Sequence, residues 1–133
     1  KKAVYMNDLK YTKEHEWLKL EDPSLETSKI AYVGITEFAQ GELGDIVFVE
    51  LPNIDDSFDQ NDVFGTIEAV KTLADLYIPV SAKIIEINEK LEDQPELINS
   101  DPYNDGWIVK IELNNTDQIE SLLDLNAYNK LIS

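Results

Sequence analysis

Val63-Phe64-Gly65-Thr66-Ile67-Glu68-Ala69-Val70-Lys71-Thr72-Leu73-Ala74-Asp75-Leu76-Tyr77-Ile78-Pro79-Val80-Ser81, continuing to Asn88, is the stretch that sets the fold. Val63, Gly65 and Ile67 fall on one face of an extended segment and Phe64, Thr66 and Glu68 on the other. On the way back Leu76, Ile78 and Val80 alternate with Asp75, Tyr77 and Pro79. The pattern predicts two strands over residues 63–80, joined by a short reversal near Lys71. An amine at such a tip is held clear of its own core by stiff, half-buried strands, so another protein can close around it without unfolding anything.

Working outward toward the N-terminus, Gly65 inside a strand marks a bend or a close backbone approach. The polar run Asn53 to Asp62 leads into the hairpin, and Ile46 to Leu51 reads as a β-branched and aromatic strand closed by Pro52. Gly44-Asp45 is a turn. Thr36 is placed to cap a short helix over Glu37-Phe38-Ala39-Gln40, with Gly41 as its stop. Ile30 to Ile35 and Glu16 to Leu20 read as strands, with Glu21 to Lys29 a loop between them. Residues 1–10 show no steady period and are expected along the surface or as an edge strand.

Toward the C-terminus, Pro95 is placed as the first residue of a short helix through Asn99, and Asp101 to Gly106 is turn chemistry. Trp107, Val109, Ile111 and Leu113 alternate with Ile108, Lys110 and Glu112 as a last strand. Over about 116–132 the period changes to that of helices, with one stripe at Ile119, Leu122 and Leu123 and a second at Tyr128, Leu131 and Ile132 after a break at Asn126. Many short strands with turn residues between them predict a mainly β fold, two antiparallel sheets in a sandwich or flattened barrel with short helices.

The 133 residues suit one domain, 1–133, able to bury about two-thirds of its unfolded surface. A formal charge of −16 argues against nucleic acid, since phosphates would be repelled; it provides solubility and would speed encounters with basic docking surfaces. No apolar run reaches membrane-spanning length. The chain has no cysteine, so sulfur redox chemistry would have to come from an attached group. One histidine, His15, lacks the spacing of a metal site, and no nucleophile and base stand together with a phosphate loop or serine elbow. Paired carboxylates cannot be singled out from so many acids.

Glu68-Ala69-Val70-Lys71, followed by Asp75-Leu76-Tyr77 and Pro79-Val80-Ser81, resembles the lipoyl-attachment segment of the glycine cleavage system H protein family. The resemblance extends to Tyr11-Thr12-Lys13-Glu14-His15-Glu16-Trp17, Val33-Gly34-Ile35-Thr36, Leu43 to Pro52, Asp101-Pro102-Tyr103 and Gly106-Trp107, so it runs from Leu9 to Leu131. It implies a single lipoyl-carrier domain of the biotinyl/lipoyl type and a non-catalytic carrier in glycine catabolism and one-carbon metabolism. Lipoate would be joined by an amide to Lys71. A protonated amine is a poor nucleophile, so the lipoate-attaching enzyme must supply base and activated acyl group. Glu68, Val70 and Asp75 are the candidates by which that enzyme recognises the hairpin. Glu14, Glu16 and Asp75 are the candidates for hydrogen-bonding or pairing with the loaded arm in a surface cleft.

The implied partners are glycine decarboxylase (P protein), the tetrahydrofolate-dependent aminomethyltransferase (T protein) and dihydrolipoamide dehydrogenase (L protein), served by a monomer. Thr72, Ile78 and Ala82-Lys83 depart from the family pattern and put the turn after Ser81 in doubt more than the attachment. A biotinyl carrier sets its lysine between methionines, whereas Met6 is the sole methionine here; a 2-oxo acid dehydrogenase lipoyl domain carries Asp-Lys at its tip. The alternatives kept are a relay donating lipoyl groups to other enzymes and an unmodified carrier-fold binding module. The family implies bacterial cytoplasm or, with a transit peptide removed, the mitochondrial matrix; Lys1-Lys2 at the start favours the latter.

Overall fold

The computed structural model describes residues 9–22 and 29–133. In chain order these form β1 (Lys10–Tyr11), β2 (Glu16–Leu20), β3 (Ile30–Ile35), α1 (Glu37–Leu43), β4 (Ile46–Glu50), β5 (Ser57–Phe58), β6 (Val63–Ala69), β7 (Leu73–Tyr77), β8 (Ala82–Ile87), α2 (Lys90–Asp93), α3 (Leu97–Ser100), β9 (Val109–Leu113), a 3-10 turn (Asp117–Ser121) and α4 (Leu125–Ile132). The described strands make two antiparallel sheets, ordered β1-β2-β3-β9-β8-β5 and β4-β6-β7. Of the two forms expected, sandwich or flattened barrel, these open sheets make the sandwich. Its core draws Leu18, Val33, Ile84 and Ile111 from the larger sheet and Val49, Phe64, Ile67 and Leu76 from the smaller. A fully buried Ile or Leu contributes roughly 2 kcal/mol, so these rows hold the sheets face to face.

A second cluster covers the far side of the larger sheet at one end, joining Leu9, Tyr11, Trp17 and Tyr128. Tyr11 pairs with Trp17 and Trp17 with Gly34 across adjacent strands. A Cβ on Gly34 would lie 2.6 Å from the Trp17 ring, so the indole lies flush on a strand without a side chain. Tyr128 of α4 stacks on Tyr11 with ring centroids 4.5 Å apart. That contact anchors the C-terminal helix.

The hairpin expected over residues 63–80 forms, with two changes. A bulge between Val63 and Gly65 breaks the alternation, so Phe64 and Gly65 are both buried and Val63 is 46% exposed rather than sharing a face with Ile67. Gly65 is the close approach expected of it, because a Cβ there would meet the Glu50 carbonyl oxygen at 2.5 Å. The return strand stops at Tyr77; Ile78 and Val80 enter the core from a bend, with Pro79 buried between them.

Elsewhere Thr36 caps α1 by accepting from the Ala39 amide, but the helix runs through Gly41 and ends at Gly44. Gly44 holds φ 79°, the left-handed conformation glycine adopts without strain. Pro95 precedes rather than begins α3, and α2 lies where no helix was expected. The last strand begins at Val109, later than expected, and just before it Ile108 is buried and Trp107 half-buried, edge-on to Tyr32, which reverses their expected sides. The C-terminal break falls at 122–124, not Asn126: Asp124 caps α4, and of the first expected stripe only Ile119 lies in the 3-10 turn, while Leu122 is extended and Leu123 bridges to Tyr11. The expectations for residues 1–8 and 23–28 lie outside the described residues.

Candidate attachment hairpin and cleft

The tip between β6 and β7 is closed by the Ala69 amide donating to the Thr72 carbonyl at 2.8 Å. It is fastened to the rest of the molecule by the Val70 amide, which donates to the Asp45 carbonyl at 3.0 Å. Lys71 is exposed at this tip, and Val70 beside it is 74% exposed. Gly44 lies under the lysine side chain; a Cβ there would be 3.5 Å from Lys71 Cε and 3.9 Å from Nζ. Glu68 and Asp75, the other recognition candidates, are also exposed, on β6 and β7.

The Gly44-Asp45 turn is held from behind by a residue sequence reasoning missed. Asn99 of α3 donates through Nδ2 to the Gly44 carbonyl and to Gln40 Oε1, both at 2.9 Å, and accepts from the Ile46 amide at 3.0 Å. One side chain thus joins α3, the end of α1 and the start of β4 beside the Asp45 carbonyl to which the hairpin tip is fastened. An Asn late in a short predicted helix gives no signal of this in sequence.

Beside the hairpin lies a cleft of about 560 Å³ bounded by β7, the start of β2 and α1. Glu14, Glu16 and Asp75 all line it, with Phe38, Leu43 and Ile67 among its apolar walls. Glu14 and Asp75 are exposed and stand at its edge. Glu16 is different: it is 1% exposed, accepts from the Thr12 hydroxyl at 2.5 Å and accepts from the Tyr77 amide at 3.2 Å. Burial pushes its carboxyl up to about 7, against the opposing effect of those two hydrogen bonds. Glu16 therefore ties β2 to the free edge of β7 and sets the width of the cleft.

His15, at φ 73°, presents Nδ1 2.8 Å from the Tyr128 hydroxyl and packs its ring on Phe38. The Tyr128 hydroxyl also lies 2.7 Å from Thr36 Oγ1, so α4 braces both the cleft wall and the cap of α1. Burial raises the Tyr128 pKa, which keeps its hydroxyl neutral as a hydrogen-bonding group. Glu14 and Tyr77 also face a second cleft of about 540 Å³ on the side of Tyr11 and Leu123.

The family model described as "Glycine cleavage H-protein" matches residues 9–133. The chain is 52% identical over 126 residues to the "Glycine cleavage system H protein" of Staphylococcus epidermidis (strain ATCC 12228 / FDA PCI 1200), covering 95% of each. It is also similar to the crystal structure of a glycine cleavage system H protein from Mycobacterium marinum, with a TM-score of 0.83 and 34% identity over 93% of this chain and 95% of that one.

Proposed function

This chain belongs to the glycine cleavage H-protein family, and from that premise we propose that Lys71 is the amine on which it carries lipoate. Its role is that of the lipoyl-carrying shuttle of the glycine cleavage system. The observation that carries the assignment is the placement of Lys71 at an exposed hairpin tip beside an apolar, carboxylate-rimmed cleft. A lipoyl group supplies the disulfide that takes up the aminomethyl group of glycine and is afterwards reoxidised from the dithiol.

The chain's own residues do the rest. Lys71 Nζ provides the nitrogen of the amide, and the Ala69–Thr72 turn and the Val70–Asp45 bond fix where that nitrogen emerges. Phe38, Leu43 and Ile67 offer an apolar bed that excludes water, while Glu14 and Asp75 can accept hydrogen bonds from an ammonium group. Glu16 positions the strand edge. We read the decarboxylase, the aminomethyltransferase and dihydrolipoamide dehydrogenase as the partners served in turn, with a lipoate-attaching enzyme loading the arm. The bacterial relative supports a cytoplasmic setting over the mitochondrial one.

Intact-mass measurement after co-expression with a lipoate ligase tests the assignment. One lipoyl adduct on the wild type and none on Lys71→Ala is the expected result. An adduct that survives the substitution, or none on the wild type, overturns it. Glycine decarboxylation reconstituted with the partner enzymes then separates the shuttle from a lipoyl relay.

A further inference from the structure

The outer face of the smaller sheet carries apolar side chains that contribute nothing to the core. Val47 is 48% exposed, Phe48 54%, Leu73 64% and Val70 74%. A bulge on β4 between Ile46 and Phe48 produces the first two: Ile46 and Val49 point inward, and the extra residue leaves both Val47 and Phe48 in solvent. Phe48, Glu68 and Leu73 are direct partners across the three strands, so one row reads apolar, acidic, apolar. Val70 continues it at the tip.

We propose that this patch, Val47, Phe48, Leu73 and Val70 around Glu68, is the docking surface for the acyl-transferring enzyme that loads Lys71. The inference rests on Lys71 being the attachment site. Adjacent strands lie about 4.8 Å apart, so Phe48 on β4 stands roughly 10 Å from Leu73 on β7. A specific interface covers about 800 Å² on each partner, a disc of roughly 16 Å radius. Val70 adjoins Lys71 and Leu73 follows it by two residues, within about 8 Å between Cα atoms, so an interface of this size centred on the tip reaches both and extends along the row toward Phe48. The attaching enzyme works on Nζ itself and must bring its reacting carbonyl down to this surface. Enzymes that act on the sulfurs meet the far end of the arm and need not.

The chemistry also specifies the partner. Its contact face is apolar and carries a cation opposite Glu68, as the formal charge of −16 on this chain favours. In the step itself the neutral Lys71 amine attacks the carbonyl carbon of lipoate activated as a mixed anhydride with phosphate. The C–N bond forms, the C–O bond to the phosphate breaks with its electron pair, and the amine proton passes to a base on the enzyme.

Initial rates of lipoyl transfer by a lipoate ligase, with ATP and lipoate saturating, test this on the whole apo chain. Val47→Ser/Phe48→Ser and, separately, Leu73→Ser are each expected to lower kcat/KM for the chain at least tenfold through KM. Ile54→Ser, which alters a 51% exposed apolar residue beyond the other end of β4, is expected to stay within twofold of wild type. Unchanged kcat/KM in both patch variants overturns the proposal. So does an equal loss when the variants, loaded by long incubation, are assayed with dihydrolipoamide dehydrogenase, because the patch would then serve every visitor. A wild-type dimer in sedimentation that the Phe48 substitution dissociates overturns it too, assigning the patch to a second copy. A wild type that accepts no lipoyl group at all removes the Lys71 assignment and this proposal together.

Discussion

Glu16 shows what a buried carboxyl does to the balance of folding. Its carboxyl is pushed up to about 7 in the folded chain from an ordinary 4.5, chiefly by burial. Between those values the folded protein holds a proton that the unfolded chain has released, so stability is greatest at the acid end and falls as pH rises through the window. Above about pH 7 both states are ionised and the cost is constant, about 3 kcal/mol by linkage. Glu16→Gln keeps an acceptor for the Tyr77 amide and has nothing to titrate. Urea unfolding of that variant should lose most of the decline seen in wild type between pH 5 and 7.5, and a variant with an unchanged slope would place the titration elsewhere.

At the scale of elements, Asn99 matters more than its position in a four-residue helix suggests. Replacing it by Ala removes three hydrogen bonds and leaves the Ile46 amide and the Gly44 carbonyl without their partner, a cost of about 2–4 kcal/mol. Denaturant midpoints should fall accordingly, and amide exchange at Ile46 and Val70 should quicken, since the second bond of the tip runs through Asp45. A variant as stable as wild type would mean that water replaces the side chain. The strands themselves were legible because their alternation is local: β2 and β3 fall on the expected residues, and Thr36 caps the helix foreseen.

What escaped depends on contacts between distant segments. The bulges at Val63 and at Val47 come from how β6 meets β4 and β7, and nothing in either strand alone announces them. Sequence points to Gly41 as the stop of α1, but it is Gly44 whose carbonyl Asn99 holds and which sits at a positive φ. The place of Lys71 at an exposed tip was legible because a tip needs only a hairpin. The roles of Asn99, and of Glu16 as a partner of Tyr77, depend on segments 53–61 residues away.

For the molecule as a whole, the unpaired margins of the sheets pose a common problem, because a bare strand edge accepts any other strand. The described sheets end in β1 and β5, two residues each, in β4, which carries a bulge, and in β7. Only β7 is both long and regular, and an oxygen of the Glu16 carboxyl, able to accept in either protonation state, occupies its Tyr77 amide. The formal charge of −16 opposes contact between copies at neutral pH, and that repulsion vanishes near the isoelectric point of about 4.2 that the composition implies. There the blocked amide is the remaining safeguard. Glu16→Ala should therefore scatter light and self-associate near pH 4 while wild type stays dispersed; equal scattering from both would assign the protection to some other margin. On the expected outcome one internal acid serves as a stopper against unwanted strand-to-strand growth.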